Sequence, residues 1–467
     1  MSAETHHPPW SKALLIKWFI TIIVPIAILL TPVQGGYTKE IRLFLAITVC
    51  AVFLMAFETL STMMISLLLP GAYLLTGLGQ AGIVFSGWST STPYMLVGAF
   101  IFANVLDESG VLKRLTYWCM IKLGGNYRRM LMALMTTGIL LTFIANSAST
   151  MIMIVFCYAI CKALEIGQTR DAAMITCVGA SSVMIAGLAI YIPLHISLIQ
   201  GGMTIVGIPW TVSYITYFLQ NWPQLIYAYL LVIVWSFLFK PQSPTLAQRG
   251  KAYFESEYAK FDKISVNEKK ALYFALALMA LLIFGPIFGM QAAWIFALFP
   301  AVAYLPFMNL GTQSAIHNVN FELIFFVMGC LSMGSVSTSL GIGTLISQSL
   351  SPLLSGLNSY FVIMAVYLLG IVANFILTPL AYMAAFSGPI AEVAIDLGVN
   401  PVGAIYALLS STEQILLPYE YPAYMMFLAF GMVKLSDFMK LFSIRMVLAL
   451  IFTAVIMIPY WMFIGIV

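Results

Sequence analysis

Charged residues are scarce in this chain of 467 residues: Asp, Glu, Lys and Arg together make up 8% of it, and it has only four histidines. Hydrophobic residues make up 62%. Such a chain has too few charges to cover the surface of a soluble domain, and it is too apolar to remain disordered. The composition therefore excludes both classes and indicates a polytopic membrane protein.

Motifs of catalysis and ATP hydrolysis are also missing. The chain contains no HExxH pair, no GxGD-like motif and no Walker loop, so neither an intramembrane enzyme nor a pump with its own ATPase is expected. The six cysteines lack metal-ligand spacing and are interpreted as packing residues. We expect no enzyme activity, no cofactor, no bound metal and no nucleic-acid partner.

Long apolar runs fill most of the chain. Residues 14–30, 43–57, 271–288 and 446–467 each approach or reach the roughly 20 residues that a spanning helix needs. Residues 1–17 are polar, and no small-residue cleavage site follows the first run, so we expect that run to remain as a membrane span. The pattern predicts an all-α, multi-pass protein embedded in a lipid bilayer.

Several landmarks recur at one spacing along the chain. The matching pairs, each 231 positions apart, are residues 163–167 (ALEIG) with 394–398 (AIDLG), Gly98 with Gly329, and Gly110 with Gly341. Such a match predicts a duplicated unit, of roughly five spans and one interrupted hairpin.

The duplication divides the chain into four segments. We predict a first span in residues 1–35, a first repeat in 36–240, a cytoplasmic linker in 241–270 and a second, inverted repeat in 271–467. The two interrupted hairpins are predicted to turn near residues 145–147 and 377–379.

An odd number of crossings per unit inverts the second copy, and the basic residues test this orientation. With the N-terminus in the cytoplasm, the predicted outer segments hold only Lys39 and Arg42 of the 21 Lys and Arg residues. This asymmetry favours inverted repeats, with the N-terminus inside and the C-terminus outside. We expect the protein in the plasma (inner) membrane.

Four polar or proline-containing breaks interrupt the predicted spans at matching places in the two repeats. They lie at residues 145–147, 191–195, 377–379 and 417–422. Broken helices at matched positions are typical of transporters that bind their substrate near the bilayer midplane. Because half-helix N-termini favour negative charge, the four breaks predict one anion site between the repeats.

Residues 145–150 (ANSAST) resemble the Ser-Asn-Thr hairpin-tip motif of the divalent anion/sodium symporters (DASS), which carry di- and tricarboxylates and sulfate. Residues 191–195, 377–379 and 420–422 stand where that family has its other Ser-Asn-Thr and Thr-Pro-Pro motifs. The order of elements is similar over nearly the whole chain. The resemblance implies about eleven transmembrane helices, two re-entrant hairpins, a homodimer with scaffold and transport domains, and elevator movement of the substrate.

The sequence departs from the family's pattern at places that bear on the coupling ion. The family's hairpin tips supply oxygens to sodium and contacts to substrate, but the second tip here has Pro379 and no Asn. His195 and Glu420 occupy matching breaks instead, and ionisable groups at midplane depth are functional candidates by default. We hypothesise that a cationic His195 replaces sodium and that Glu420 pairs with it or exchanges a proton.

The candidate substrate-binding residues lie at the four breaks: Asn146, Ser147, Pro193, His195, Thr378, Pro379, Glu420 and Pro422. If sodium binds, its expected place is near Asn146 and Ser147. The polar members also have structural interpretations: Asn146 as a cap, His195 bonded to a backbone carbonyl freed by Pro193, Thr378 satisfying its own turn, and Glu420 in a wetted loop. Glu322 and Glu413 are expected to face polar cavities or interfaces.

The leading functional hypothesis is a secondary transporter that exchanges small carboxylates of four to six carbons, such as succinate, malate, 2-oxoglutarate or citrate, without sodium. The main alternative is a sodium- or proton-coupled symporter of di- or tricarboxylates or sulfate. An ion channel is a further alternative, because a polar midplane between inverted repeats also forms pores. The charged linker and the two hairpins favour alternating access over a channel.

Overall fold

The computed structural model consists of helices joined by loops in the part of the chain that it describes. The described residues are 12–34, 36–57, 59–123, 126–146, 148–242, 246–342, 356–375, 379–417, 420–421, 424, 427 and 431–467. Within them the chain forms helices and one isolated β-bridge, between Gln34 and Tyr37, and no β-strand. The prediction of an all-α protein is confirmed.

The helices of the first half are α1 (Lys12–Leu29), α2 (Lys39–Ala56), α3 (Thr62–Leu75), α4 (Ala81–Val84), α5 (Thr92–Glu108), α6 (Val111–Leu123), α7 (Tyr127–Ala145), α8 (Ala148–Ala163), α9 (Arg170–Ala189), α10 (Pro193–Ile205), α11 (Tyr214–Asn221) and α12 (Pro223–Leu238). Polar caps explain several starting points. Asn126, Thr169 and Ser213 accept backbone N–H groups from the first turns of α7, α9 and α11.

The linker and the second half contain α13 (Leu246–Ala259), α14 (Val266–Phe284), α15 (Ala292–Leu298), α16 (Gln313–His317), α17 (Phe321–Ser339), α18 (Ser359–Asn374), α19 (Pro379–Asp396), α20 (Pro401–Ser411), α21 (Leu435–Phe452) and α22 (Ile458–Phe463). Ser265 and Glu268 form a capping box that starts α14. A π-helical turn, Thr453–Met457, joins α21 to α22.

Among the described residues, five helical segments are long and apolar enough to cross a bilayer, and the number rises to seven if two bent pairs each form one span. The bent pairs are α5 with α6, at 67°, and α11 with α12, at 46°. Other apolar helices, including α8 and α18, are shorter, because the breaks divide their spans. The count of about eleven transmembrane helices stays a prediction.

The two halves contain matching pairs of elements. The α7–α8 hairpin corresponds to the α18–α19 hairpin, and each packs on the helix that follows it. A Cβ added to Gly138 of α7 would stand 1.7 Å from Ser182 Oγ on α9, and a Cβ added to Gly370 of α18 would stand 1.9 Å from Ser411 Oγ on α20. Glycine is therefore required at the same place in both hairpins.

Each half donates an indole hydrogen bond to a backbone carbonyl of the other half. Trp235 of α12 donates to the Leu441 carbonyl of α21 at 3.1 Å, and Trp461 of α22 donates to the Gln220 carbonyl of α11 at 3.0 Å. These indoles tie the last helices of each half to those of the other. The packing agrees with a duplicated unit, while the orientation of the second unit and the segment boundaries stay predictions.

The linker predicted for residues 241–270 is partly helical and docked. Phe254 of α13 is buried, and its ring lies 6.0 Å from that of Phe156 on α8. Arg114 of α6 forms an ion pair with Glu268 at 2.8 Å, which ties α6 to the start of α14. The linker therefore lies across the base of the first hairpin.

Candidate functional site: two hairpin tips and two helix breaks

The first hairpin turns at Asn146, where the sequence predicts it. Asn146 has φ 48° and ψ −117°, a conformation rare for residues with a side chain. Its carbonyl accepts from the Ser149 N–H at 3.1 Å and from the Ser149 hydroxyl at 2.6 Å. Asn146 is 4% exposed, and its Oδ1 is buried without a hydrogen-bond partner in the described structure. A cation or a ligand donor would satisfy this acceptor.

The long helix of the first repeat breaks between α9 and α10. Pro193 is the first residue of α10, where its missing N–H costs no helical bond. His195 Nδ1 lies 2.9 Å from the Gly187 carbonyl oxygen, and the Tyr217 hydroxyl donates to the Leu188 carbonyl at 3.1 Å. Because a carbonyl only accepts, His195 carries a proton on Nδ1 in this contact. Side-chain donors thus satisfy two carbonyls freed at the end of α9.

The corresponding helix of the second repeat breaks earlier than the sequence predicts. The predicted break is at residues 417–422, whereas α20 ends at Ser411. Asn374, the last residue of α18, donates from Nδ2 to the carbonyls of Thr412 at 3.3 Å and Gln414 at 3.1 Å. These bonds replace helical ones. The break therefore begins at Thr412 and is joined to the second hairpin.

Asn374 places a buried amide near the second hairpin tip, whose predicted residues 377–379 contain no asparagine. Its Oδ1 is buried without a hydrogen-bond partner in the described structure, as is that of Asn146. Asn374 precedes the predicted tip by one helical turn, so a motif aligned on Thr378 and Pro379 does not find it. Pro379 is buried as the first residue of α19. The predicted site residues Ser147, Thr378 and Pro422 lie outside the described residues.

Glu420 is a buried carboxylate held by the backbone of its own break. It is 2% exposed, so it does not lie in a wetted loop. Oε1 accepts from the Leu417 N–H at 2.8 Å, and Oε2 accepts from the Leu416 N–H at 3.3 Å. Among the ion pairs of the described residues, none joins Glu420 to His195. The carboxylate instead satisfies backbone donors, as an N-cap does.

An ion pair that the sequence does not predict lies beside the second break. Arg445 of α21 donates from Nη2 to Glu413 Oε2 at 2.7 Å and from Nη1 to the Tyr424 hydroxyl at 2.5 Å. Tyr424 donates to the same Glu413 oxygen at 2.9 Å. Among the Lys and Arg residues that the structure describes, Arg445 alone is buried, at 1% exposure. It is neutralised in the interior by Glu413, so it is not a surface charge of the kind on which the predicted orientation depends.

Two cavities adjoin these elements. A cavity of about 470 Å³ between α10, the start of α5 and α17 is lined by hydroxyl and amide side chains, among them Ser91, Thr92, Gln200, Thr204 and Ser335. A space of about 10 Å³, near the room that one water needs, lies against Gln224, Ser410, Glu413 and Gln414. The predicted residues Asn146, His195 and Glu420 line neither space.

The four elements place different chemistry at the tips and at the breaks. The tips present amide oxygens, which suit a cation or a donor. The breaks present ionisable side chains, His195 at the first and Glu413 and Glu420 at the second, with Arg445 of α21 beside Glu413. Charges on such groups interact strongly where water is excluded. No three His, Cys, Asp or Glu side chains come together as metal ligands in the part of the chain that the structure describes.

From the sequence, Glu413 is expected at a polar cavity or interface, but the pairing of Glu413 with Arg445 is not predicted. Glu413 and Arg445 each stand beside a long apolar run, which marks both as candidates by depth in the membrane. Nothing in the sequence indicates that Glu413 and Arg445 form an ion pair, because the two residues are 32 positions apart.

Comparison with known proteins agrees with a transporter site. The profile of the citrate transporter family matches residues 52–412. A comparison with curated proteins gave no match. Among solved structures, the crystal structure of the Alcanivorax borkumensis YdaH transporter, described as having an unusual topology, is similar with a TM-score of 0.55 and 12% sequence identity, over 82% of this chain and 88% of that chain. At this identity the likeness shows the fold.

The matched family and the similar solved structure are both transporters. The family resemblance predicted from the hairpin-tip motif is confirmed. The family and the apolar helices make this a multi-pass integral membrane protein. Since the profile spans most of the chain, the protein belongs to the citrate transporter family.

Proposed function

We propose that this protein exchanges small carboxylates of four to six carbons, such as succinate, malate, 2-oxoglutarate and citrate, across the plasma (inner) membrane without sodium. Membership of the citrate transporter family supports the substrate class. The positions of the Lys and Arg residues support a cytoplasmic N-terminus, an extracytoplasmic C-terminus and inverted repeats in residues 36–240 and 271–467. The homodimer and the elevator movement rest on the resemblance to the DASS symporters.

The position of His195 carries the sodium-independent part of the proposal. Because Nδ1 is held by the Gly187 carbonyl, a second proton adds at Nε2 and makes the ring cationic. A cationic ring at the break of a buried helix would supply the charge that sodium supplies in related carriers. A binding site with a positive charge moves poorly through the bilayer unless a bound anion neutralises it. The empty carrier would then not return, which favours exchange over net uptake.

Counterflow in proteoliposomes tests this proposal. Vesicles loaded with unlabelled dicarboxylate are expected to take up labelled dicarboxylate equally in sodium and in choline medium, while vesicles without internal substrate take up little. Uptake that stops in choline would refute sodium independence, and equal uptake into unloaded vesicles would refute exchange.

His195→Asn is the matched variant for this assay. An Asn amide can donate to the Gly187 carbonyl but cannot become cationic. Exchange should fall about tenfold if the charge contributes ~1.4 kcal/mol, with the amount of folded protein unchanged. Unchanged exchange would show that His195 acts only as a donor to the backbone.

A sodium-coupled symporter of di- or tricarboxylates or sulfate is the second candidate. The unpartnered Oδ1 of Asn146 favours it, because a buried amide oxygen at a sharp turn is a suitable ligand for a cation. Thermal unfolding with each anion, in sodium and in choline, separates the candidates. Stabilisation only in sodium supports symport, and equal stabilisation supports exchange. Uptake driven by an imposed pH gradient would identify the proton-coupled form.

A further inference from the structure

The ion pair of Glu413 and Arg445 is not used by the exchange proposal. Both residues are buried, at 3% and 1% exposure. Replacing a buried ion pair by apolar side chains is often neutral or stabilising, so stability alone gives a weak reason for its presence. Charges at membrane depth generally mark a substrate or ion pathway. The pair therefore needs a functional explanation.

Arg445 has more donor capacity than its partners use. Nη1 and Nη2 donate to Tyr424 and Glu413, but Nε is buried without a hydrogen-bond partner in the described structure. The neighbouring contacts are aromatic or backbone: the Phe442 ring lies 4.9 Å from the guanidinium carbon, and the Tyr227 hydroxyl donates to the Arg445 carbonyl. A guanidinium has five N–H groups in a fork that fits a carboxylate. Arg445 can therefore bind a second acceptor.

Glu413 lies in the segment that the second hairpin holds. Asn374, at the end of α18, donates to the carbonyls of Thr412 and Gln414, on either side of Glu413. Oε1 of Gln414 is also buried without a partner in the described structure, and the space of about 10 Å³ borders both Glu413 and Gln414. A ligand seated between the hairpin and the break would act directly on the segment that carries Glu413.

We propose that Arg445 binds a carboxylate of the substrate and that Glu413 is its internal competitor. The Glu413 carboxylate holds the place of a substrate carboxylate on Arg445 and keeps the interior neutral. A substrate carboxylate takes over these bonds when the segment after α20 moves. This assignment rests on the proposed carboxylate substrate. It gives the substrate a second cationic contact, Arg445 in the second repeat, besides His195 in the first.

Glu413→Gln tests the competition, because it removes the charge and keeps the side-chain size. Without substrate, the variant should unfold at a lower temperature than the wild type, since Arg445 loses its counter-charge. Added dicarboxylate should raise the unfolding temperature more than in the wild type, and the apparent affinity should be about tenfold stronger. A variant that dicarboxylate stabilises no more than it stabilises the wild type would overturn the proposal.

Glu322→Gln is the matched control, because Glu322 is an exposed carboxylate in the first turn of α17. It should equal the wild type in both measurements. If it shows the same gain in affinity as Glu413→Gln, the gain is a general effect of lost negative charge and the proposal fails.

The double variant Glu413→Met/Arg445→Met keeps the test decisive if Glu413→Gln does not fold. Two apolar side chains of similar volume should restore a stable interior, while dicarboxylate affinity should fall more than about tenfold. A double variant that binds and exchanges like the wild type would show that the pair is only structural. If the wild type requires sodium, the proposal of sodium-independent exchange fails. The affinities of Glu413→Gln and of the double variant are then compared with the wild type in sodium medium, which still tests the role of Arg445.

Discussion

At the first helix break the side chains donate hydrogen bonds to freed carbonyls, whereas at the second they both donate to carbonyls and accept from N–H groups. His195 and Tyr217 donate to carbonyls freed at the end of α9. Glu420 accepts from two backbone N–H groups after α20, and Glu413 beside it accepts from Arg445. The sequence predicts the two breaks at matching places in the repeat, so the predicted position alone does not decide their chemistry.

The difference shows that two helix breaks can satisfy their freed backbone groups with unlike side chains. In lipid, each freed backbone group needs a partner inside the protein, and any set of side chains that supplies one is tolerated. The first break meets this need with the His195 ring and the Tyr217 hydroxyl. The second meets it with the Asn374 amide and the Glu420 carboxylate. The ion pair that Arg445 forms beside the second break adds charge interactions and a higher cost when one member is removed.

Removing Arg445 should disturb the second break most. Arg445→Met leaves Glu413 buried without its cation and should destabilise the protein by about 3–5 kcal/mol, measured by thermal or denaturant unfolding in detergent. Lys440→Met is the control, because Lys440 is exposed on the same helix, and it should change stability by less than ~0.5 kcal/mol. A similar, small effect of both variants would show that charge pairing does not distinguish the second break.

Removing the Glu420 carboxylate should have the next largest effect. Glu420→Ala leaves the Leu416 and Leu417 N–H groups without their charged acceptor and should cost about 2 kcal/mol. Hydrogen exchange at these two amides should accelerate, and Glu420→Gln should recover part of the protection through its single oxygen. Unchanged exchange in Glu420→Ala would mean that the carboxylate does not hold this backbone.

The matched glycines test how alike the two hairpins are. Gly138→Ala and Gly370→Ala each force a Cβ against a serine on the following helix, and each should cost about 1–3 kcal/mol. Ser182→Gly should restore the stability lost in Gly138→Ala, and Ser411→Gly that lost in Gly370→Ala. Neither serine variant should restore stability in the other hairpin, as a double-mutant cycle in thermal unfolding would show. If the two glycine variants lose unequal amounts of unfolding free energy, the two hairpins are alike in sequence pattern but not in packing.

The smallest expected effect concerns the first break. Tyr217→Phe keeps the ring and removes the donor to the Leu188 carbonyl, so it should cost about 1 kcal/mol. Tyr273→Phe, at a residue 68% exposed, is the control and should leave the unfolding temperature unchanged. A loss as large as that of Arg445→Met would remove the proposed contrast between the breaks.

Much of the architecture follows from patterns along the chain. Asn146 stands in a polar island within an apolar stretch, and such a group is tolerated only where a helix turns or a cavity opens. Pro193 marks the start of α10 because its fixed φ suits the first helical position, where no N–H donor is needed. In both cases the local covalent chemistry of the residue decides the structure.

The second break shows where such patterns lose their accuracy. Prolines at residues 418 and 422 are the obvious signal, yet α20 ends at Ser411 because Asn374 of another helix bonds to the backbone beyond it. The partner that ends the helix is 38 positions away from Thr412. A neighbour in space has therefore overridden a signal in the sequence.

By itself the sequence determined that this protein is a helical, multi-pass membrane carrier with a hairpin at Asn146 and a break at Pro193, since hydropathy and backbone chemistry act locally. Only the tertiary structure decided that Glu420 bonds to its own backbone and that Arg445 pairs with Glu413 inside the protein. An ion pair depends on distance and on the exclusion of water, and both arise only when α20 and α21 pack together.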